Sequence, residues 1–133
     1  MAKIHKGSCL CGAVTFDITG EFQQFFLCHC HRCQKGSGSA HGANLFSTEA
    51  KLKWLTGEDQ ITTFNVKGTR HTRSFCKTCG AVMPITQGDL LVVPAGTLDT
   101  PVDIKLNGHL FMKDAASWEE CLTDAPRFEE FPE

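Results

Sequence analysis

"LCHCHRCQKGSGS", residues 27–39, places three cysteines and two histidines between Cys28 and Cys33. A group this dense is typical of a metal centre or a thiol redox pair. The chain carries 8 cysteines in 133 residues, and disulfides are rare in reducing compartments. Because no apolar stretch follows the two early lysines in "MAKIHKGSC", we expect a cytoplasmic protein. We therefore expect most of these cysteines to bind metal.

The overall composition limits the classes of function. A chain of 133 residues suits one domain, so we expect residues 1–133 to form a single unit. The net charge is −2 and no basic run is present, which argues against a nucleic-acid partner. The longest apolar run, "DLLVVPAG", is too short to cross a membrane. We therefore expect neither a nucleic-acid nor a membrane partner.

Strand patterns dominate the chain. In "GAVTFDI" (12–18), Val14, Phe16 and Ile18 alternate with polar residues, which is the period of a half-buried strand. Glycines and a Thr-Pro pair separate the segments, so we predict a mainly β fold, a small zinc-stabilised antiparallel domain. Helix is predicted only at 113–122 and in one turn after Cys33. The other predicted strands are 50–57, 60–66, 71–76, 90–96 and 102–111.

Two separated cysteine pairs predict a closed metal site. Cys9 and Cys11, in an extended segment, would point to one face, and Cys76 and Cys79 would converge across a tight turn. Four thiolates make a tetrahedral structural zinc site. Such a site stabilises the fold, because it forms only when distant segments meet.

The middle group then has three ligands, Cys28, Cys30 and Cys33. A catalytic zinc keeps three protein ligands and an open position, whereas a structural zinc fills all four. In a second interpretation, a histidine of the stretch or Cys121 completes another structural site. A redox pair at Cys30 and Cys33 is less favoured, because such a motif belongs beside a βαβ pattern that this sequence lacks.

Four segments together resemble the glutathione-dependent formaldehyde-activating enzyme family, which includes centromere protein V. The resemblance implies the β-tent fold, two Zn²⁺ ions, one structural and one catalytic, and the same division of the cysteines between them. It also implies carbon–sulfur lyase chemistry, in which S-hydroxymethylglutathione is formed from glutathione and formaldehyde or cleaved again. The segments are "GSCLCGAVTF" (7–16), "CHCHRCQKGSGSAHGA" (28–43), "RSFCKTCG" (73–80) and "AGTLD" (95–99).

These motifs predict a zinc-dependent enzyme whose catalytic residues are Cys28, Cys30 and Cys33, acting on a small thiol, such as glutathione, and an aldehyde. A coordinating thiol loses its proton and becomes the nucleophile. We predict Lys35 and Ser37 as ligand-binding residues, with ordinary surface or loop roles as the alternative. A non-catalytic zinc-stabilised module that binds a protein partner stays open as a second function.

Several other side chains carry weaker expectations. We expect Cys121 to be buried, His41 to be buried and hydrogen-bonded, and Arg32 to face outward. Arg70 and Arg73 are either exposed strand residues or partners of a substrate carboxylate. The phenylalanines expected in the core are Phe25, Phe26, Phe46, Phe64 and Phe111.

Overall fold

A computed structural model describes residues 3–132 of the chain. Within that range the chain forms eleven strands, one short α-helix and four 3₁₀ turns. No helix there has the length and apolar character needed to cross a membrane. The elements are β1 (Ile4–Ser8), β2 (Thr15–Thr19), β3 (Gln24–Cys28), α1 (His31–Ser37), β4 (Gly42–Ser47), β5 (Lys51–Thr56), β6 (Ile61–Asn65), β7 (Thr72–Cys76), β8 (Val82–Met83), β9 (Ile85–Gln87), β10 (Leu90–Pro94) and β11 (Gly108–Leu110), with 3₁₀ turns at Glu58–Gln60, Ala95–Thr97, Met112–Asp114 and Glu119–Cys121.

The strands form three sheets, with orders β1-β2-β5, β11-β3-β4-β10-β9 and β6-β7-β8. Every pairing between these strands is antiparallel except that of β11 with β3, which is parallel. The predicted mainly β, antiparallel fold with little helix is therefore confirmed. The parallel pair makes Gly108–Leu110 an edge strand of the largest sheet, beside β3.

Period-two alternation located β2 and β5 of the first sheet correctly, whereas β1 was not predicted. In β2, Phe16 and Ile18 are fully buried, whereas Thr15 and Asp17 are only partly buried. The Trp54 ring of β5 packs edge-on against Phe16, with ring centroids 5.6 Å apart. The predicted strands at 60–66, 71–76 and 90–96 correspond to β6, β7 and β10.

Two predicted elements differ in the structure. Of the strand predicted at 102–111, only Gly108–Leu110 is a strand. Asn107 precedes it, and its side-chain oxygen and backbone N–H bond the backbone of Phe25 at 2.8 and 2.7 Å. The helix predicted at 113–122 is replaced by two 3₁₀ turns, because Ala115 between them has extended backbone angles.

The core lies where β2, β4 and β10 contribute side chains, with Val14, Phe16, Ile18, Leu45 and Val93 fully buried. Of the phenylalanines expected there, Phe25 packs against the core, and the Phe26 and Phe46 rings lie 6.2 Å apart. Phe64 and Phe111 are 57% and 52% exposed, so their assignment to the core was wrong. Phe64 lies on β6, which is an edge strand of the third sheet and has a neighbouring strand on one side only.

Candidate functional site

The four-cysteine cluster (Cys9, Cys11, Cys76, Cys79) joins two distant turns. The first two residues lie in the turn after β1, not in the extended segment expected, because the Cys9 N–H donates to the Val14 carbonyl and closes a loop. Cys76 ends β7, and Cys79 lies in the turn that follows. In that turn the Gly80 N–H donates to the Cys76 carbonyl at 2.7 Å. The cluster therefore connects the first and third sheets.

The donor set of this cluster fits a zinc ion. All four sulfurs lie within 4.8 Å of one another, with Cys9 to Cys11 at 3.6 Å and Cys11 to Cys76 at 3.9 Å. Four sulfurs at about 2.3 Å from a central zinc would be roughly 3.8 Å apart. The backbone N–H of Ala81 lowers the pKa of Cys79 to about 6, so this sulfur is readily a thiolate.

The three-cysteine cluster (Cys28, Cys30, Cys33) forms where β3 passes into α1. Cys28 ends the strand, Cys30 is the N-cap of the helix, and Cys33 lies in its first turn. The Cys30 sulfur accepts the Cys33 N–H at 3.4 Å. The three sulfurs lie within 4.8 Å of one another. Strand end and helix start therefore bring together the three thiols predicted from their spacing.

Among residues 3–132, no fourth ligand joins this group. His29 belongs to another cluster, and Cys121 is exposed rather than buried as expected. Burial, and then the Cys28 and Cys30 sulfurs, raise the pKa of Cys33. The raised pKa of Cys33 disfavours a further thiolate in the cluster, and a bound cation would favour it.

All three sulfur-bearing residues line a cleft of about 510 Å³. Its walls come from α1, β4, β7 and β10, and its rim includes Leu110 and Phe111. Phe111 has a left-handed backbone, with φ of 57°, which is rare for a bulky residue. That conformation places an exposed aromatic residue beside the cleft.

Three arginines line the same cleft, Arg32, Arg70 and Arg73. The cleft-lining residues of the described chain include no aspartate or glutamate. Arg73 is held in place, because its Nη2 donates to the Gly36 carbonyl at 3.2 Å and its guanidinium lies 5.0 Å from the centre of the Phe75 ring. The cleft therefore favours an anionic ligand. Arg32 is exposed, as expected, and it also lines the cleft.

Lys35 and Ser37 occupy different positions on α1. Lys35 is exposed and is absent from the cleft lining. Ser37 lines the cleft, but its hydroxyl donates to the carbonyls of Cys33 and His41, at 2.7 and 3.1 Å. The Ser37 hydroxyl therefore links the end of α1 to the loop before β4. A ligand contact by Lys35 or Ser37 stays a prediction.

A histidine cluster (His29, His41, Glu119) was not anticipated. One side-chain atom of each residue lies within 4.8 Å of the others. His41 is only half-buried, and its Nδ1 has no hydrogen-bond partner, contrary to expectation. The sequence signal was weak, since these residues come from three separate segments.

The fold and the cysteine clusters define the class, a mainly β protein with thiols gathered in two places that could hold metal ions. The chain belongs to the glutathione-dependent formaldehyde-activating enzyme family, whose model matches residues 4–114. The resemblance seen in the motifs is confirmed. A crystal structure of a Rhodobacter sphaeroides protein is similar, with a TM-score of 0.57 and 20% identity over 78% of this chain and 98% of that chain. At this identity the likeness concerns the fold alone.

Proposed function

We propose that the protein is a zinc-dependent enzyme with carbon–sulfur lyase activity on adducts of a thiol and an aldehyde. In the forward reaction the thiol sulfur bonds to the carbonyl carbon, and the aldehyde oxygen gains the proton that the thiol loses. The reverse reaction breaks that carbon–sulfur bond. Family membership makes glutathione and formaldehyde the first substrates to test.

The observation that carries this proposal is the contrast between the two cysteine clusters. The four-cysteine cluster has the full ligand set of a structural zinc, whereas the three-cysteine cluster has three thiols and lines a cleft. A zinc ion held by Cys28, Cys30 and Cys33 would supply a Lewis acid that favours the thiolate form of a bound thiol.

Residues in the walls of the cleft would bind the substrate and accept its proton. Arg73 has a fixed guanidinium that can hold a substrate carboxylate through two hydrogen bonds, and Arg70 and Arg32 add positive charge. Burial, and then the charges of Arg32 and Arg73, lower the pKa of His71, which also lines the cleft. Its neutral ring is suited to accept the thiol proton. These features favour a thiol that carries carboxylates, as glutathione does.

Exchange NMR with ¹³C-formaldehyde tests the proposal. We expect the zinc-loaded protein to accelerate exchange between formaldehyde hydrate and the hydroxymethyl adduct of glutathione, and to do so less well with 2-mercaptoethanol, which lacks carboxylates. The variant Cys121→Ser is the control, because Cys121 is exposed and outside both clusters, and it should match the wild type. If no thiol shows acceleration, the proposal fails and a protein-binding module becomes the better interpretation.

A further inference from the structure

Buried polar atoms without partners gather at the histidine cluster. The Nδ1 atoms of His29 and His41 and the Oε1 atom of Glu119 are all buried and make no hydrogen bond. The His29 side chain is fully buried, and that of Glu119 is 17% exposed. A buried polar group that lacks a hydrogen-bond partner destabilises the folded state. Three such atoms in one place point to a shared ligand.

The hydrogen bonding of His29 leaves one nitrogen available. Its Nε2 lies 2.9 Å from Nδ1 of His109, while its Nδ1 faces Glu119 Oε1 at 3.3 Å without the alignment of a hydrogen bond. When Nε2 donates to His109, the lone pair of Nδ1 points to the carboxylate. Two electron-rich atoms facing each other favour a cation between them. A metal-bound histidine characteristically donates its other N–H to a neighbouring acceptor in this way.

The surroundings hold the three groups in position. The His29 N–H donates to the Leu110 carbonyl at 2.9 Å. The Gln34 amide donates to the carbonyls of His29 and Asp114, at 2.7 and 2.8 Å. These bonds connect the β3–α1 junction to the segment that leads to Glu119. The fold itself therefore holds the three side chains of the cluster near one another.

We propose that His29, His41 and Glu119 bind a divalent transition-metal cation at a site separate from both cysteine clusters. Two imidazoles and one carboxylate are an established ligand set for zinc and for other first-row metals. Bound there, the cation joins the β3–α1 junction and the loop before β4 to the 3₁₀ turn Glu119–Cys121. It therefore anchors the segment that follows β11 against the largest sheet. His109 orients His29 from outside the ligand set.

Zn²⁺ is the probe, because two imidazoles and one carboxylate are an established zinc ligand set. The wild type, Glu119→Gln and Glu120→Gln are saturated with Zn²⁺, freed of excess metal, and assayed for metal content. Glu120 is the neighbouring exposed glutamate and serves as the matched control. We expect Glu119→Gln to hold one equivalent fewer than the other two proteins. All three proteins have the same cysteines. The difference in zinc content therefore does not depend on how much zinc the cysteine clusters bind.

Side-chain ¹⁵N NMR of the histidines provides a readout on the wild type itself. Zn²⁺ should shift the Nδ1 signals of His29 and His41 and leave exposed His31 unchanged. His109→Gln should weaken this binding by roughly 10–100-fold, the usual effect of losing an outer-shell partner. Equal metal content in Glu119→Gln and wild type would overturn the proposal. So would unshifted Nδ1 signals for His29 and His41, because they would leave only a hydrogen-bonded histidine–carboxylate pair.

Discussion

Replacing one ligand of the four-cysteine cluster, by Cys76→Ser, should destabilise the protein by the free energy of metal binding that it removes. Cys76 is fully buried, and it lies 65 positions from Cys11 in the chain. A metal that these segments bind only in the folded state adds its binding free energy to stability, about 4 kcal/mol when free zinc is roughly 1,000 times Kd. A small domain is typically stable by only about 5–15 kcal/mol, so we expect a large fall in the urea midpoint.

Chelation separates the metal contribution from packing. At free Zn²⁺ about 1,000 times Kd, the wild type should exceed Cys76→Ser by about 4 kcal/mol in the free energy of unfolding. In excess EDTA the difference should shrink to about 1 kcal/mol, because only a local change of a buried thiol to a hydroxyl is left. Cys121→Ser makes the same substitution at an exposed cysteine and should change neither value. A wild-type stability that is the same with and without EDTA would refute this reasoning.

Three further changes test the core, the acid response and the cleft. Gly7→Ala should lower the free energy of unfolding in urea by about 1–3 kcal/mol. A Cβ at this position would lie 2.2 Å from the Phe16 ring and 2.8 Å from the Thr97 carbonyl oxygen. Gly96→Ala is the control, because a Cβ there would have no atom within 4 Å. Burial, and then the charge of Lys3, lower the pKa of His5 from 6.5. The unfolded chain therefore binds more protons, and stability present above that value is lost as the pH falls through the folded-state pKa; His5→Leu should flatten this loss in unfolding curves at successive pH values. Arg73→Lys should raise KM for glutathione about tenfold, the effect of losing roughly 1.4 kcal/mol of a charged hydrogen bond, and leave KM for 2-mercaptoethanol unchanged.

The parts of the fold that local pattern predicts are the strands with one buried face. β2 and β5 alternate apolar and polar residues, and both were located to within a few positions. β3 and β4 escaped prediction because "QFFLC" does not alternate and "GANLFS" contains glycine and asparagine, which are poor strand formers. Their strand structure comes from pairing with each other and with β10 and β11.

The candidate site also has parts that local sequence pattern predicts and parts that it does not. The cysteine clusters follow from short spacings, because Cys76 and Cys79, or Cys30 and Cys33, need only one turn to converge. The histidine cluster could not be read locally, since Glu119 is far from His29 in the chain, and the supporting His109, 80 positions from His29, meets it only through the parallel pairing of β3 with β11. Cys121 was assigned to the core on the general tendency of cysteine to be buried, but the irregular segment that carries it lies at the surface.

The most direct test of the central claim is a paired measurement on Cys33→Ala, with zinc content and the exchange of ¹³C-formaldehyde with its glutathione adduct taken on the same sample. Cys33 belongs to the three-cysteine cluster and is neither the helix N-cap nor a core residue, so the fold should persist. We predict that the variant holds one zinc fewer than the wild type and no longer accelerates exchange. A folded Cys33→Ala that exchanges the adduct as fast as the wild type would contradict the claim that thiol–aldehyde chemistry occurs at this cluster.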